Sequence, residues 1–504
     1  MSELFAEIYK NPASIDIREI PVIKYDDFYE HVSGLLKDQG SHCVTYFADK
    51  IPEGLKFYCI IGDNSSALRV YSFVLENAAR PIRSLTPSFP RLHGFERELH
   101  ENHGIIFEGH PWLKPVRYPY GGKAGPDKLS DYPFYGIDSD ELHEVGVGPL
   151  HAGIIEPGYF RFICNGEKVL HLEIQLGYQN RGVENLMISG KSILQRCILS
   201  ENIAGDTAVG HSLAHSQLVD SLIGAEPSES LMIERCIALE LERIAIHIGD
   251  TAALCGDVAY QLGQVVCEAL RTTVINTTQN WCGNRFGKGL VRPGGTNYPA
   301  NDSFIDSLLV LLDDTGSKFY EIADRIITLP SVLARFEDIG RITTSQTCDA
   351  GAVGMAARSA GIARDIRISY PYQYYKTLPV NIQLLEGGDV LSRCLLRILE
   401  VKESDRYIRE LAGFWRRSEK NSNRPEYHRR LEADRLTLSL VEGWRGEICH
   451  TAVTNGEGEL TCYKIKDPSF HNWMALALAV RNQEISDFPV CNKSFNLSYC
   501  GHDL

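Results

Sequence analysis

No apolar run in this sequence is long enough to cross a membrane: the best, Met474 to Val480, falls far short of the roughly 18–20 residues a spanning helix needs. Basic charge is in short supply as well. The 51 Lys+Arg stand against 65 Asp+Glu, a formal net charge of −14, and no cationic surplus remains for a phosphate backbone. That argues against a nucleic-acid binder. No G-x-G-x-x-G follows a strand, and "RPGGTNYP" is no phosphate loop, so no nucleotide site is expected here. Fourteen cysteines are present, yet no two form a C-x-x-C pair, the short spacing from which iron–sulfur and structural zinc sites usually draw two sulfurs. Most lie among apolar neighbours, as in "ALCGDVAY" and "LSRCLLRIL", and read as buried reduced thiols. The N-terminus, "MSELFAEIYKNPAS", has acidic residues where a signal peptide would have basic ones. A cytoplasmic protein is expected, held at any membrane by other chains.

What is present is a soluble globular composition, 44% hydrophobic and 23% charged, over 504 residues, which predicts two or three domains. The fold class read from the patterns is α+β. "HCVTYFADK", "LKFYCIIGD" and "ALRVYSFVLE" read as strands and "DDFYEHVSGLLKD" as a helix. They predict a small α+β domain over 1–125. The Pro/Gly/Tyr-rich stretch Arg117 to Gly136 reads as an exposed linker, and the boundary is placed at 126–144. A hairpin is expected in "HAGIIEPGYFRFICNGEKVLHLEIQLG", with Glu-Pro-Gly and Asn-Gly-Glu as its turns. From there to 504 helical periods dominate: Ile233, Ile237, Leu241, Ile244 and Ile248 recur every three or four residues. The tail returns to strand–turn–strand at Asn455-Gly456, so the second domain is predicted mainly helical with small sheets at its edges. No internal repeat is visible.

The stretch "FERELHENHGIIFEGHPWLK" carries His100, His103 and His110, with His93 just ahead. His100 and His103 share a helix face, but no cysteine or carboxylate completes a good ligand set, which favours a turn at an intersubunit surface over a metal site. Glu96, Arg97, Glu98, Gly104, Ile105, Phe107, Gly109, His110 and Pro111, with Glu101 between, resemble the motif of the C-type subunit of NADH:quinone oxidoreductase, respiratory complex I. In that family the segment docks rather than catalyses. From about Gly148 to Leu504 the chain resembles the D-type subunit of complex I, and more closely the large subunit of group 4 (formate hydrogenlyase-like) [NiFe] hydrogenases. The landmarks are "GPLHAGIIEPGYFRF", "LGYQNRGVENL", "AGDTAVGHSLAHSQ", "ERIAIHIGDTAALCGDVAYQLG", "RPGG", "VGMAARSAGIARDIR", "GGDVLSR" and "EGWRGEI". The resemblance implies a complex I C-type module joined to a hydrogenase large subunit-like, complex I D-type domain over 145–504.

Departures from the family pattern shape the functional expectation. The hydrogenases hold nickel through two C-x-x-C pairs; the matching positions here are Ala204 and Thr207, then Ser498 and Gly501, with Cys500 off register. One lone cysteine cannot assemble such a site, so no nickel–iron centre and no metal ligand are expected. The chain stops at "GHDL", with no extension of the kind hydrogenases trim after loading nickel. In the D-type subunit of complex I the vacated cavity takes a quinone headgroup beside the [4Fe–4S] cluster of a partner. His151 matches that family's hairpin histidine, while Gly205 falls where its tyrosine would be and Asn180-Arg181-Gly182 replaces His-Arg-Gly.

The resemblance places His151, Asp206, His211 and Arg358 as candidate catalytic residues and Glu156, Arg161 and Glu184 as candidate acceptor-binding residues. Each has a plainer reading as an ion pair or helix cap; Asp206, at a helix start, is expected to cap free N–H groups. His247 and Asp250, on an apolar helix, read as buried and hydrogen-bonded. The expected function is that of a peripheral-arm subunit of a complex I-like oxidoreductase, on the cytoplasmic face of the inner membrane. It would work with an iron–sulfur small subunit of the complex I B type and with antiporter-type membrane subunits, reduce quinone, and bind no NADH itself. The alternatives are a structural subunit that couples partners to an ion-translocating or carbon-uptake module, and a [NiFe] hydrogenase with unorthodox ligands.

Overall fold

The computed structural model describes residues 4–63, 66–117, 132–153, 155–420 and 424–504. Strands β1 (Ala6–Ile8) and β2 (Ala13–Asp16) precede helix α1 (Tyr25–Leu36). The alternating segments then form β3 (His42–Ile51), β4 (Gly54–Gly62) and β5 (Leu68–Leu75), an antiparallel sheet in the order β1-β5-β4-β3. Side chains on successive strand residues point to opposite faces. One face sends Tyr46, Phe57, Tyr71 and Phe73 against Phe28 and Val32 of α1. The other, with Phe47, Tyr58, Ile60 and Val70, joins the main core of the chain. Burial on both faces explains why these strands read as nearly continuous apolar runs.

After β6 (Ile82–Arg83) comes α2 (His93–His103), which ends at Gly104 in the left-handed conformation (φ 71°) that glycine adopts without strain. His100 Nδ1 donates to the Ile105 carbonyl at 2.7 Å and so ties this turn together. β7 (Phe107–Glu108) pairs in parallel with β6. Most of the expected linker, residues 118–131, lies outside the described residues.

β8 (His143–Val147), β9 (Tyr159–Asn165) and β10 (Lys168–Gln175) form a second antiparallel sheet in the order β10-β9-β8. The Asn-Gly-Glu turn closes β9 and β10, with Gly166 at φ 58°. Glu156-Pro157-Gly158 is not the tight turn expected of it. It ends the long connection 148–158 that carries the chain from β8 to β9.

The helical part then runs through α3 (Val183–Ile188), α4 (Ile193–Ser200), α5 (Ala208–Ile223), α6 (Glu229–Asp257), α7 (Gln261–Cys282) and α8 (Asp302–Ile326). Short helices α9 (Pro330–Phe336), α10 (Thr344–Ala350), α11 (Gly354–Arg358) and α12 (Ile366–Ser369) lead to the long α13 (Val390–Arg417). α6 is the axis: Ile233, Ile237, Leu241, Ile244 and Ile248 are all buried, and α7 and α13 pack along it. A third sheet follows from β11 (Arg435–Glu442), β12 (Glu447–Thr454) and β13 (Leu460–Lys466). Its order is β13-β12-β11-β2, so the N-terminal strand β2 completes it, Ala13 opposite Leu438 and Asp16 opposite Arg435. α5 lies on this sheet. Helices α14 (Ser469–Ala479), α15 (Phe488–Phe495) and α16 (Tyr499–Asp503) end the chain, and the Leu504 carbonyl accepts from the N–H groups of Arg181 and Val183 at 3.0 and 2.9 Å. The fourteen cysteines are free thiols, twelve of them buried; Cys348 and Cys462 are half-buried.

Candidate functional site

The segment "ENIAGDTAVGHS" turns between α4 and α5, and it meets the chain end and the 148–158 connection around a cavity of about 310 Å3. Asp206, Glu156, Arg445, Ser498 and Cys500 supply its polar wall, and Ile155, Leu497 and Tyr499 its apolar one. Of the four positions that the resemblance equates with nickel ligands, Ser498 lines the cavity, and Ala204, Thr207 and Gly501 are next in sequence to its lining residues Gly205, Asp206 and Cys500; none of the four is a cysteine. Ala204 and Thr207 are fully buried, and the Thr207 hydroxyl donates to Asp206 Oδ1 at 3.0 Å while accepting from Arg445 Nη1 at 3.0 Å. Ser498 Oγ accepts the Gly501 N–H at 2.9 Å. At Gly205 a side chain would meet no atom within 4 Å, so the glycine leaves open space. Burial and then the Glu156 carboxylate push the Cys500 thiol up to about 11.

Asp206 does not cap α5. The N–H groups of Val209 and Gly210 at the start of that helix are taken by the Glu242 carboxyl oxygens of α6, at 2.7 and 3.1 Å. Thr207, not Asp206, is the N-cap residue, and its side chain makes no cap bond. Asp206 is thereby free to bind the Arg445 guanidinium through both oxygens, at 2.7 and 2.6 Å. Bidentate pairing of this kind fixes direction as well as charge. Arg445 also lies over the Trp444 ring at 3.9 Å and donates to the Asn496 carbonyl. Burial works against its charge, but Asp206, Asp467 and Asp250 hold it firmly protonated.

The other candidates occupy different shells. His151 sits in the 148–158 connection, where its Nε2 donates to the Gly158 carbonyl at 2.8 Å. Glu156 Oε2 accepts the Cys500 N–H at 3.3 Å and so joins that connection to the chain end. His211 lies one layer behind the cavity, fully buried, between Asp467 (3.0 Å) and His450 (3.1 Å). Glu184 accepts from Lys464 Nζ and the Ile465 N–H, both at 2.9 Å; burial opposes its charge, but Lys464 and Arg117 hold the carboxyl below its ordinary value.

Arg358 and Arg161 are not brought to the cavity. Arg358, fully buried, pairs with Glu442 and Glu400, each at 2.6 Å, in a network with Asp365 and Arg367. Arg161 lies on β9 and pairs with Glu144 under the Phe134 ring. His247 and Asp250 are buried as expected, on Glu400 (2.9 Å) and Arg397 (2.9 Å). Sequence reading passed over Arg445, although "EGWRGEI" contains it, and over Asp467, His450 and Tyr463. They come from strands far along the chain, and no local spacing links them to "ENIAGDTAVGHS".

Comparison with known proteins assigns both halves. Residues 23–134 match the respiratory-chain NADH dehydrogenase 30 Kd subunit family, and residues 257–430 match the 49 Kd subunit family. The carbon monoxide-induced hydrogenase of Rhodospirillum rubrum is 30% identical over 359 residues, 70% of this chain and 97% of that protein. Formate hydrogenlyase subunit 5 of Escherichia coli (strain K12) is 26% identical over 438 residues, 82% of this chain and 76% of that one. A chain from the structure of the membrane-bound sulfane sulfur reductase, an archaeal respiratory membrane complex, superposes with a TM-score of 0.67 at 21% identity. It covers 73% of this chain and all of its own length, and it shares the fold. The protein belongs to the large-subunit family that complex I and these hydrogenases have in common, with a 30 Kd-subunit module fused ahead of it.

Proposed function

We infer that this chain is a peripheral oxidoreductase subunit of a membrane-bound, complex I-like assembly, and that its cavity takes an electron acceptor, a quinone headgroup, without nickel. The observation that carries this is the cavity itself: about 310 Å3 of open space lined by Gly205, Asp206, Ser498 and Cys500, which include or adjoin the four positions the resemblance equates with nickel ligands, now Ala204, Thr207, Ser498 and Gly501. A thiolate-held dinuclear metal does not fit this donor set. The Thr207 and Ser498 hydroxyls are already engaged in protein hydrogen bonds, and soft sulfur ligands are missing.

A quinone ring needs an apolar slot and a hydrogen-bond donor at its carbonyl oxygens. Ile155, Leu497 and Tyr499 give the slot, and the Arg445 guanidinium the donor, aimed by Asp206. Glu156 and His151 hold the connection that walls the cavity. Glu184 and Arg358 hold the frame around it, and Arg161, paired with Glu144 on the neighbouring sheet, takes no part in the acceptor site. Electrons arrive from a partner's [4Fe–4S] cluster, and NADH, where it is used, binds elsewhere. The N-terminal module, about 1–125, docks partners. Among the described residues no helix is long and apolar enough to cross a membrane, so attachment at the cytoplasmic face of the inner membrane falls to membrane partners of antiporter type.

The test uses the complex purified from gently solubilised membranes. Arg445→Gln is expected to slow quinone-dependent reoxidation of the partner cluster at least tenfold, with assembly unchanged. Nickel is expected to be absent by elemental analysis. Reoxidation at the wild-type rate would move the chain to the purely structural reading, and stoichiometric nickel would restore the hydrogenase one.

A further inference from the structure

Five buried side chains form one hydrogen-bonded line behind the cavity, and acceptor binding uses none of their protons. His211 and His215 lie one turn apart on the same face of α5. His450 of β12 and Tyr463 of β13 are diagonal neighbours, since Tyr463 stands opposite Ala452. Asp467 follows β13. The line runs from Asp467 Oδ2 to His211 Nε2 (3.0 Å), and from His211 Nδ1 to His450 Nε2 (3.1 Å). It continues from His450 Nδ1 to the Tyr463 hydroxyl (2.9 Å) and from that hydroxyl to His215 Nδ1 (2.8 Å). None of the five is more than 3% exposed.

Hydrogen-bond valence fixes the direction of this line. Burial opposes the Asp467 charge, but the His211 hydrogen bond, with Arg445 and Ser469, keeps the carboxyl below its ordinary value, so it only accepts. His211 Nε2 therefore carries a hydrogen. Burial, with His211 and His215 beside it, keeps His450 neutral; burial, with Arg196 and Arg292 nearby, drops His215 to about 3. Tyr463 keeps its phenolic proton, which burial holds well above its ordinary value. With His211 neutral, its Nδ1 accepts from His450 Nε2–H, His450 Nδ1 accepts from Tyr463 O–H, and the Tyr463 oxygen accepts from His215 Nδ1–H. That leaves His215 Nε2 as a bare acceptor, and it is buried with no partner among the described residues. An orphaned buried acceptor costs about 1–3 kcal/mol, and in this line it is the one nitrogen left open to take up a proton. A second proton on His211 reverses the three bonds from His211 to His215 and leaves His211 Nε2–H on Asp467. The two polarities differ by one proton.

We propose that this line is a proton relay, loaded at His215 Nε2 and discharged at Asp467, that supplies the protons for reduction of the acceptor in the cavity. In one passage a hydronium ion of the solvent gives up an O–H bond as an N–H bond forms at His215 Nε2, and the Nδ1 proton passes to the Tyr463 oxygen. The Tyr463 proton passes to His450 Nδ1, the His450 Nε2 proton to His211 Nδ1, and the His211 Nε2 proton to Asp467 Oδ2. One proton enters, one arrives, and no electron moves. The discharge end adjoins the cavity through Gly501: a Cβ there would stand 2.7 Å from Asp467 Oδ2 and 2.9 Å from the Ser498 oxygen, which itself lines the cavity. Glycine at 501 is what lets the carboxylate reach that wall. The relay rests on the reading of the cavity as an acceptor site, so its test has two independent arms.

In the assembled complex, Tyr463→Phe removes the middle hydroxyl and keeps the ring. Acceptor reduction is expected to fall at least tenfold, with a larger solvent deuterium isotope effect, while the partner cluster is still reduced at the wild-type rate. An unchanged rate and isotope effect overturn the relay. If the wild-type complex reduces no quinone at all, the cavity reading fails, and the relay is judged on the full chain by 15N NMR of labelled histidines. Near neutral pH the expected tautomers are Nδ1–H on His215 and Nε2–H on both His450 and His211. Acidification is expected to switch all three together, and Tyr463→Phe to uncouple His215 from the other two. Histidines that titrate independently in the wild type overturn the relay.

Discussion

At the scale of single residues, the two arginines singled out by motif differ in what their removal does. Arg358 has no exposed surface and answers Glu400, Glu442 and Asp365; burial opposes its charge, but those three carboxylates raise its pKa. Arg358→Met leaves those carboxylates facing one another in a dry core. Breaking a buried pair from one side costs about 3–5 kcal/mol, a large part of the roughly 5–15 kcal/mol that holds a domain folded. The half-exposed Arg161–Glu144 pair is worth about 1 kcal/mol at most. Denaturant unfolding followed by circular dichroism should therefore show a large midpoint loss for Arg358→Met and almost none for Arg161→Ala. Equal midpoints would mean that the Arg358 network is compensated elsewhere. Both residue types were visible in the sequence, but burial is what separates them, and burial is a property of the assembled core.

At the scale of elements, α5 is capped from outside itself. Its first N–H groups bind Glu242, a residue of α6 more than thirty positions later, and not the Asp206 that local rules nominate. Glu242→Ala removes two helix-end bonds and is expected to cost about 1–2 kcal/mol, whereas Glu242→Gln keeps one acceptor and costs less. The pH dependence separates charge from shape. Burial pushes the Glu242 carboxyl up to about 8, and Asp206 adds to it against the two N–H bonds. A carboxyl raised in the folded state contributes stability that is complete below its ordinary value of 4.5 and is lost as pH rises through 8. Across that window the wild type should lose about 1.4 kcal/mol per pH unit relative to Glu242→Gln. Thermal scans at pH 5, 7 and 9 check this, and a constant gap refutes it. The same contrast marks what the sequence could tell. Periodicity located α1, α6 and strands β3 to β5, because those signals are local. It misread Glu156-Pro157-Gly158 as a hairpin turn and Asp206 as a cap, because the partners that decide both lie far away in the chain. "GPLHAGIIEPGYFRF", "AGDTAVGHSLAHSQ" and "EGWRGEI" did bring the cavity wall into view, while the relay behind it came from β12, β13 and Asp467 with no motif to announce it.

At the scale of the whole molecule, the two modules are not beads on a string. The β3–β5 sheet packs α1 on one face and the main core on the other. β2 crosses over to complete the β11–β13 sheet. Between β1 and β2, Asn11 is 3% exposed and binds like an extra strand residue: its amide donates to the Tyr370 and Leu440 carbonyls at 2.7 and 2.9 Å, and its oxygen accepts the Leu440 N–H at 2.9 Å. Glu98 of α2 and Glu184 of α3 share Lys464 of β13, which burial lowers to about 8 and the two carboxylates hold in place. Charge, strand pairing and packing thus all cross the same boundary. Deleting residues 1–20 keeps α1 and β3 to β5 but strips β1 from β5, strips the β2 edge from the β11–β13 sheet and orphans the Leu440 backbone. If the molecule is one cooperative unit, calorimetry of the deletion variant will show a single transition, lowered by several degrees and including the helical core. Two transitions, with the helical one at its original temperature, would mean that the modules unfold independently. The β2 pairing would then be an ornament of the N-terminal module. The position of β12 argues against that outcome: it carries His450 and lies next to β11, so loosening the β2 edge loosens the wall that aligns the histidine line.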